Sequence, residues 1–142
     1  MSPEINKAIV RRLVEQVWNK RRVDLIEEFY SEDAVLHIAG MSSKSGLEGI
    51  RDTVDMILRA YPDLHLVIDE EIAEGAKVVN RWTVTGVHPF DVDGIPAMSK
   101  PVHQSGMAIL NFSNARVTEF WFLFDNLGWM RPLRVNPFTD TT

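Results

Sequence analysis

Residues 117–125, Val-Thr-Glu-Phe-Trp-Phe-Leu-Phe-Asp, decide how the 142-residue chain is interpreted. Alternate side chains of a strand share a face, so Trp121 and Asp125 lie on one side and Phe120, Phe122 and Phe124 on the other. Both sides are rich in apolar residues, whereas a strand with one wet side alternates apolar and polar residues. We therefore predict a strand that is covered on both sides.

Three more segments of β-type composition precede this strand. They are rich in β-branched and aromatic residues and are separated by short turns, a pattern typical of consecutive antiparallel strands. Their ranges are 64–72, 78–87 and 102–112, and residues 89–100 are predicted to form a loop or hairpin tip. The second half of the chain is thus expected to form a mainly antiparallel sheet.

The first half of the chain carries helix signals instead. Ser2 can cap a helix that begins with Pro3, and apolar residues then recur with helical period up to Trp18. Capping-box spacings predict two more helices. The second runs from Asp24 to Tyr30, a turn at 31–33 and a short strand at 34–38 follow, and the third runs from Ser45 to Pro62. Helices first and long strands later predict an α+β fold.

Composition and charge exclude several classes of function. The chain carries 15 basic and 20 acidic side chains, a net charge of −5, without a basic face that could bind nucleic acid. It has no cysteine, which excludes disulfides, zinc–thiolate sites and a cysteine nucleophile. We expect no signal peptide, no membrane-spanning segment and a cytoplasmic location.

Asp125 has two interpretations. It can cap the turn formed by the next residues, Asn-Leu-Gly at 126–128. Alternatively, it is a carboxylate in an apolar pocket, where desolvation would raise its pKa and make it a usable proton acceptor. Two residues of the preceding strand could pair with Asp125. A turn at 114–115 places Gln104 opposite Asp125, and a bulge would bring His103 there.

The histidines and tryptophans are the other candidates for chemistry. The four histidines have no metal-binding spacing, and the chain lacks Gly-rich nucleotide loops, so we predict neither a metal nor an organic cofactor. His37 lies in an apolar strand and is either a hydrogen-bonded core residue or a catalyst. Trp82 and Trp121 either line a pocket or fill the core.

Several motifs together resemble the SnoaL-like polyketide cyclases. Residues 61–64 (Tyr-Pro-Asp-Leu), 70–78, 81–88 (Arg-Trp-Thr to Gly-Val-His) and 117–128 match family motifs in order and spacing. The opening segments up to His37 match as well, so the resemblance runs from about residue 5 to residue 133.

The resemblance implies an NTF2-like fold, in which a curved sheet and about three helices enclose a conical pocket in one domain, residues 1–142. The tail from about residue 132 is expected to be poorly ordered. The implied reaction is cofactor-free ring closure of an aromatic polyketide ester, an intramolecular aldol condensation in antibiotic biosynthesis. The candidate catalytic residues are Asp125 as acid/base, His103 and His37. The candidate substrate-binding residues are Trp82, Trp121, Gln104, His88, Met56 and Phe29.

Two other functions are compatible with the same pocket. One is accessory ring hydroxylation or isomerisation in anthracycline-type pathways, which the resemblance also covers. The other is a module that binds a small molecule without catalysis and does not need the carboxylate of Asp125.

The outer face of the sheet predicts self-association. Three helices cover only one face, and we expect Phe120, Phe122 and Phe124 on the other, beside Met107 and Ile109. Such a patch is larger than monomers usually expose, which predicts a two-fold homodimer with Phe122 near its centre. The alternative is that the phenylalanines face the helices and Trp121 and Asp125 face outward.

Overall fold

The computed structural model describes residues 2–39, 42–87 and 102–125. The helical segments are α1 (Pro3–Leu13), a π-helix (Val14–Asn19), a 3-10 turn (Val23–Leu25), α2 (Ile26–Phe29) and α3 (Gly46–Ala60). The strands are β1 (Tyr30–Ile38), β2 (Lys44–Ser45), β3 (His65–Glu74), β4 (Lys77–Gly86), β5 (Val102–Ser113) and β6 (Arg116–Phe124). His88, the loop at 89–100 and the tail from about residue 132 lie outside the described residues.

The strands form one curved six-stranded sheet in the order β2-β1-β6-β5-β4-β3. All neighbours are antiparallel except β1 and β6, which are parallel. The three α-helices pack on one face of the sheet, and the core lies between the two layers. The α+β prediction is confirmed, while the parallel β1–β6 pair was not predicted.

The first helix begins as predicted and ends on the sheet. Ser2 Oγ accepts a hydrogen bond from the Ile5 backbone N–H at 3.2 Å, which satisfies one of the free donors of the first turn. At the end of the π-helix that continues α1, the Asn19 carboxamide binds both the N–H and the carbonyl oxygen of Leu66 on edge strand β3, at 2.8 and 2.9 Å. This pair of bonds ties the helical layer to the edge of the sheet.

Two local predictions in the first half need correction. Residues 31–33 do not form a turn but belong to β1, which pairs with β6 at Tyr30 and again from Val35 to Ile38, with an irregularity between them. The third helix lies where it was expected, but the Ser45 side chain makes no capping hydrogen bond.

A β-bulge in β6 decides which face each side chain of this strand occupies. Phe112 pairs with Val117, but Asn111 pairs with Glu119, so Thr118 is an extra residue. The Thr118 hydroxyl donates to the carbonyl oxygen of Asn111 at 3.3 Å. A bulge of this kind interrupts the alternation of sides. As a result, Val117 and Phe120 are both buried beneath the helices, although three positions separate them.

The predicted assignment of the two faces of β6 is therefore wrong, and the swapped assignment is correct. Phe120, Phe122 and Phe124 line the space between the sheet and the helices. Trp121 and Leu123 face outward, with exposed fractions of 37% and 60%. The inner face accepts the phenylalanines because it offers them aromatic partners: the Phe120 ring lies 5.0 Å from the ring of Tyr30, and Phe124 lies 5.1 Å from Trp82.

The close approach of Trp82 to β5 should make Gly106 irreplaceable. A Cβ atom at this position would overlap the Trp82 indole and the Leu123 carbonyl oxygen, and the backbone oxygen cannot move aside cheaply. We expect Gly106→Ala to lower the free energy of unfolding by about 1–3 kcal/mol, as overpacking does. Urea denaturation measures the change.

Gly49→Ala is the matched control for this substitution. Its Cβ would meet only the Lys44 side chain at 3.4 Å and backbone at 4.0 Å, and it lies within α3. Alanine should therefore leave stability unchanged or raise it by up to about 1 kcal/mol. Equal effects of the two substitutions would contradict the packing argument.

Glu71 should make stability depend on pH. One carboxylate oxygen lies 3.2 Å from Arg11 Nε, and the other is buried without a hydrogen-bond partner among the residues that the structure describes. Burial raises the pKa of Glu71, against the opposing effect of Arg11. Because the folded state favours the protonated form, this contribution to stability is lost as pH rises through the raised pKa.

Glu71→Gln removes that titration while it preserves the shape of the side chain. Between about pH 4 and about pH 7, the wild type should lose stability relative to Glu71→Gln in urea denaturation. Glu70→Gln, at an exposed neighbouring position, is the control and should track the wild type. A constant difference between the wild type and Glu71→Gln across this range would refute the prediction.

Candidate functional site

A cavity of about 380 Å³ lies between the inner face of the sheet and α3. Its walls are mainly aliphatic and aromatic side chains from β1, α3, β3, β4 and β6, and hydroxyl and amide groups come from Thr53, Tyr61, Thr85 and Gln104. This volume and this apolar lining with a few polar groups are typical of sites for small organic molecules.

The sheet side of the cavity is an aromatic wall. Trp82 is 3% exposed and meets Phe124 and Phe122 edge to face, with ring centroids 5.1 and 6.2 Å apart. Phe122 and Phe124 are nearly parallel to each other at 6.0 Å. Gly106 leaves the space into which the Trp82 indole packs. These contacts hold the three rings in one rigid surface.

The Trp82 indole also contains a fully buried hydrogen-bond donor. The described part of the chain offers its Nε1 no hydrogen-bond partner. A buried donor without a partner costs about 1–3 kcal/mol.

The helical side of the cavity is held in place by Arg21. Its guanidinium donates to the carbonyl oxygens of Leu58 and Tyr61 at 2.7 and 2.8 Å. These carbonyls belong to the end of α3, where cations and donors are favourable. Nearby, Asp63 Oδ1 accepts the backbone N–H of Val87 at 2.8 Å. The end of α3 is thereby fixed beside the end of β4, and Tyr61 stays on the cavity wall.

His103 lies at the start of β5 and Asp125 directly after the end of β6, at one end of these two central strands, and both are exposed. Asp125 is not among the residues that line the cavity, so the expectation of a desolvated carboxylate in the pocket is wrong. Its backbone N–H donates to the Ser105 carbonyl oxygen at 2.8 Å. Neither Gln104 nor His103 is opposite Asp125, because the bulge adds its residue to β6 and shifts the pairing to Ser105.

His37 and Trp121, expected as a catalytic and a substrate-binding residue of the pocket, lie on the outer face instead and do not line the cavity with Trp82. The reason is the same exchange of faces in β6: Trp121 pairs with His37 across the parallel ladder, and both side chains point away from the helices. Their rings stack at 5.1 Å with an angle of 16°. His37 Nε2 also lies 2.7 Å from Glu119 Oε2.

Of the predicted substrate-binding residues, the cavity brings together Trp82, Gln104 and Met56. Phe29 is buried in the core beneath the Arg12 guanidinium, 5.5 Å from its ring centre, and does not line the cavity. Sequence reasoning missed the phenylalanines of β6, although their alternate spacing was the available signal. Roles in binding or catalysis remain predictions for all these residues.

The described ranges, 2–39, 42–87 and 102–125, lack two features. No group of three or more histidine, aspartate or glutamate side chains there could hold a metal ion. No helix in these ranges is long and apolar enough to cross a membrane.

The chain is similar in structure to several solved proteins. A proposed polyketide cyclase from Acidithiobacillus ferrooxidans is 27% identical, with a TM-score of 0.84 over 94% of this chain and 98% of that one. AclR from Streptomyces galilaeus, a proposed hydroxylase, is 25% identical, with a TM-score of 0.83 over 96% of this chain and 89% of that one. IdmH from Streptomyces antibioticus, at 21% identity and a TM-score of 0.80 over 92% and 99%, shows the shared fold.

Comparison with family models gives the same relationship, while a search of curated proteins returns no match. The model described as SnoaL-like polyketide cyclase matches residues 8–133. This range includes every strand of the described residues and all of them that line the cavity. The chain belongs to the SnoaL-like polyketide cyclase family.

Proposed function

We propose that this protein is a cofactor-free cyclase that closes a ring of an aromatic polyketide ester by intramolecular aldol condensation. The observation that carries the proposal is the apolar cavity with its rigid wall of Trp82, Phe122 and Phe124. Membership of the family and the similarity to the proposed cyclase from Acidithiobacillus ferrooxidans support the same reaction class.

The cavity suits a reaction that is limited by folding a flexible chain. A polyketide must bring a nucleophilic carbon and a carbonyl carbon of the same molecule together. Fixing two reacting groups in position contributes up to roughly 7–11 kcal/mol to such a step. Flat unsaturated segments can stack on the aromatic wall, and the apolar lining keeps water from the enolate.

The chemistry requires proton transfer and the formation of one carbon–carbon bond. A base removes an acidic proton next to the ester or ketone, and the resulting enolate carbon attacks a carbonyl carbon. The oxygen of that carbonyl becomes an alkoxide and takes a proton back. The reaction consumes neither oxidant nor reductant, which agrees with the expectation of no cofactor.

The proposed acid/base group is Asp125, at the rim of the cavity. Asp125 follows Phe124, whose ring lines the cavity. Its backbone N–H donates to Ser105, and the residue before Ser105, Gln104, also lines the cavity. His103 pairs with Thr85, another lining residue, at the same end of the sheet, and is the proposed proton donor to oxygen.

Asp125→Asn should separate catalysis from binding. We expect kcat with an aromatic polyketide ester to fall by about 10²–10⁴-fold, since one positioned base contributes that much, while KM changes little. The matched control is Asp33→Asn, at an exposed aspartate of β1 that does not line the cavity. An unchanged kcat in Asp125→Asn, with ring closure still catalysed, would remove Asp125 from the mechanism.

The same assay tests the two other functions. Similarity to AclR favours a ring hydroxylation, which would consume oxygen and give a product heavier by one oxygen atom, whereas aldol closure would not. A module that only binds would show saturable binding of the ester without turnover. Mass spectrometry of the product together with equilibrium binding distinguishes the three.

We also propose that the protein is a homodimer joined through the outer face of the sheet. On this face Met107 pairs with Leu123 and Ile109 pairs with Trp121, and these four side chains are 37–60% exposed. Val79 and Ile72 continue the row of Ile109 across β4 and β3. A contiguous apolar area of this kind is typical of an interface, and a standard one covers about 800 Å² per partner. The centre is therefore Leu123 and Ile109, not Phe122 as the sequence predicted.

Leu123→Asp should shift this protein to monomer, because a charge would be buried at the centre of the contact. Sedimentation velocity at micromolar concentration measures the species. Ile5→Asp is the control, since Ile5 is 48% exposed on α1, in the helical layer, and this variant should remain dimeric. A wild type that sediments only as a monomer would refute the dimer.

A further inference from the structure

Three side chains on the outer face form a continuous hydrogen-bonded series that the cavity chemistry does not use. Ser43 Oγ lies 2.7 Å from His37 Nδ1, and His37 Nε2 lies 2.7 Å from Glu119 Oε2. The series contains a hydroxyl, an imidazole and a carboxylate, in that order. Both nitrogens of the imidazole are engaged, so each neighbour constrains the ring.

The strand pairing explains why these three residues meet. Leu36 pairs with Lys44 in the antiparallel β1–β2 ladder, which places His37 opposite Ser43, just before β2. On the other side, Val35 pairs with Glu119 and His37 with Trp121 in the parallel β1–β6 ladder. His37 is thus flanked by the hydroxyl on one side and by the carboxylate and the indole on the other.

The order of the groups gives each of them a chemical role. The Glu119 carboxylate accepts only, so Nε2 carries the proton that it receives. Nδ1 then keeps a lone pair, which accepts the Ser43 hydroxyl proton. A hydroxyl bonded to a basic nitrogen whose ring is oriented by a carboxylate is the arrangement that activates serine nucleophiles. Stacking on Trp121 at 16° further restricts rotation of the imidazole.

Access to the hydroxyl comes from the edge of the sheet. Ser43 is exposed, and β2 is the edge strand of the sheet. The His37 side chain is 29% exposed, so the ring is partly shielded from water while the hydroxyl remains open to a reagent. Trp121, at the border of the proposed dimer contact, lies on the opposite side of His37 from Ser43. An electrophile can therefore reach Ser43 without entering the cavity.

We propose that Ser43 is a nucleophilic serine that takes acyl groups from activated esters, with His37 as its base and Glu119 as the residue that positions the base. In this step Ser43 Oγ bonds to the ester carbonyl carbon, and its proton passes to His37 Nδ1. The bond from that carbon to the alcohol oxygen breaks, and His37 returns the proton to the leaving alcohol. Water can then release the acid from acyl-Ser43 through the same groups.

A fluorophosphonate probe tests the proposal on the full-length protein. The hydroxyl displaces fluoride from phosphorus, and mass spectrometry of peptides locates the new phosphonate ester. We expect labelling at Ser43, loss of that label in Ser43→Ala, and a rate about 10²–10⁴-fold lower in His37→Gln. Ser42→Ala, at the adjacent exposed serine, is the control and should label as the wild type does.

The positioning role of Glu119 needs a measurement that altered folding would not mimic. In Glu119→Gln the labelling rate at Ser43 should fall below that of the wild type, and Glu119→Asp, which keeps the carboxylate, should restore part of it. Thermal unfolding of both variants should stay that of the wild type. Absence of a label at Ser43 in the folded wild type, or equal labelling of Ser42 and Ser43, would overturn the proposal.

Discussion

The extra residue at Thr118 sets the faces of β6, and the two surfaces of the sheet depend on it. Before the bulge, Val117 points into the core, and after it Phe120 does so again, with Phe122 and Phe124 following. Without the bulge, the strict alternation of a strand would place Val117 and Phe120 on opposite sides. One unpaired residue thereby directs the phenylalanines to the helices and leaves Glu119 on the outer side with Trp121.

The inner face of the sheet keeps a cavity open next to a well-packed core. Large rings usually fill space, but here the Trp82 ring packs edge to face on the nearly parallel rings of Phe122 and Phe124, and the three support one another from the sheet side. Gly106 makes this possible because a Cβ atom there would overlap the indole. From the helix side, Arg21 holds the end of α3 by two carbonyl oxygens. The volume between them is thus bounded by groups that have little freedom to collapse into it.

The sequence predicted the order of elements well, because periodicity and turn residues are local signals. The helix start at Ser2 and the turn at 114–115 follow from neighbouring residues alone. The faces of β6 could not be predicted, because nothing in residues 116–119 marks Thr118 as unpaired. Whether Thr118 is paired depends on the residue that Asn111, on another strand, selects as its partner. The parallel contact between β1 and β6 joins residues more than eighty positions apart. Without knowledge of this contact, His37 could not be placed beside Glu119. A catalytic role for His37 in the pocket was therefore a reasonable hypothesis.

Both candidate sites use the same strand, yet they are separated by its alternation. Phe120 and Phe122 belong to the cavity wall, while Glu119 and Trp121 contact His37 on the outer side. Adjacent side chains thus serve environments on opposite faces of one backbone. A substitution that preserves the backbone should therefore act on one site and leave the other intact. The bulge is the exception, since any change that removed the extra residue would turn one part of the strand over and exchange phenylalanines for the carboxylate and the indole. The two surfaces can vary independently only while Thr118 keeps its place in the strand.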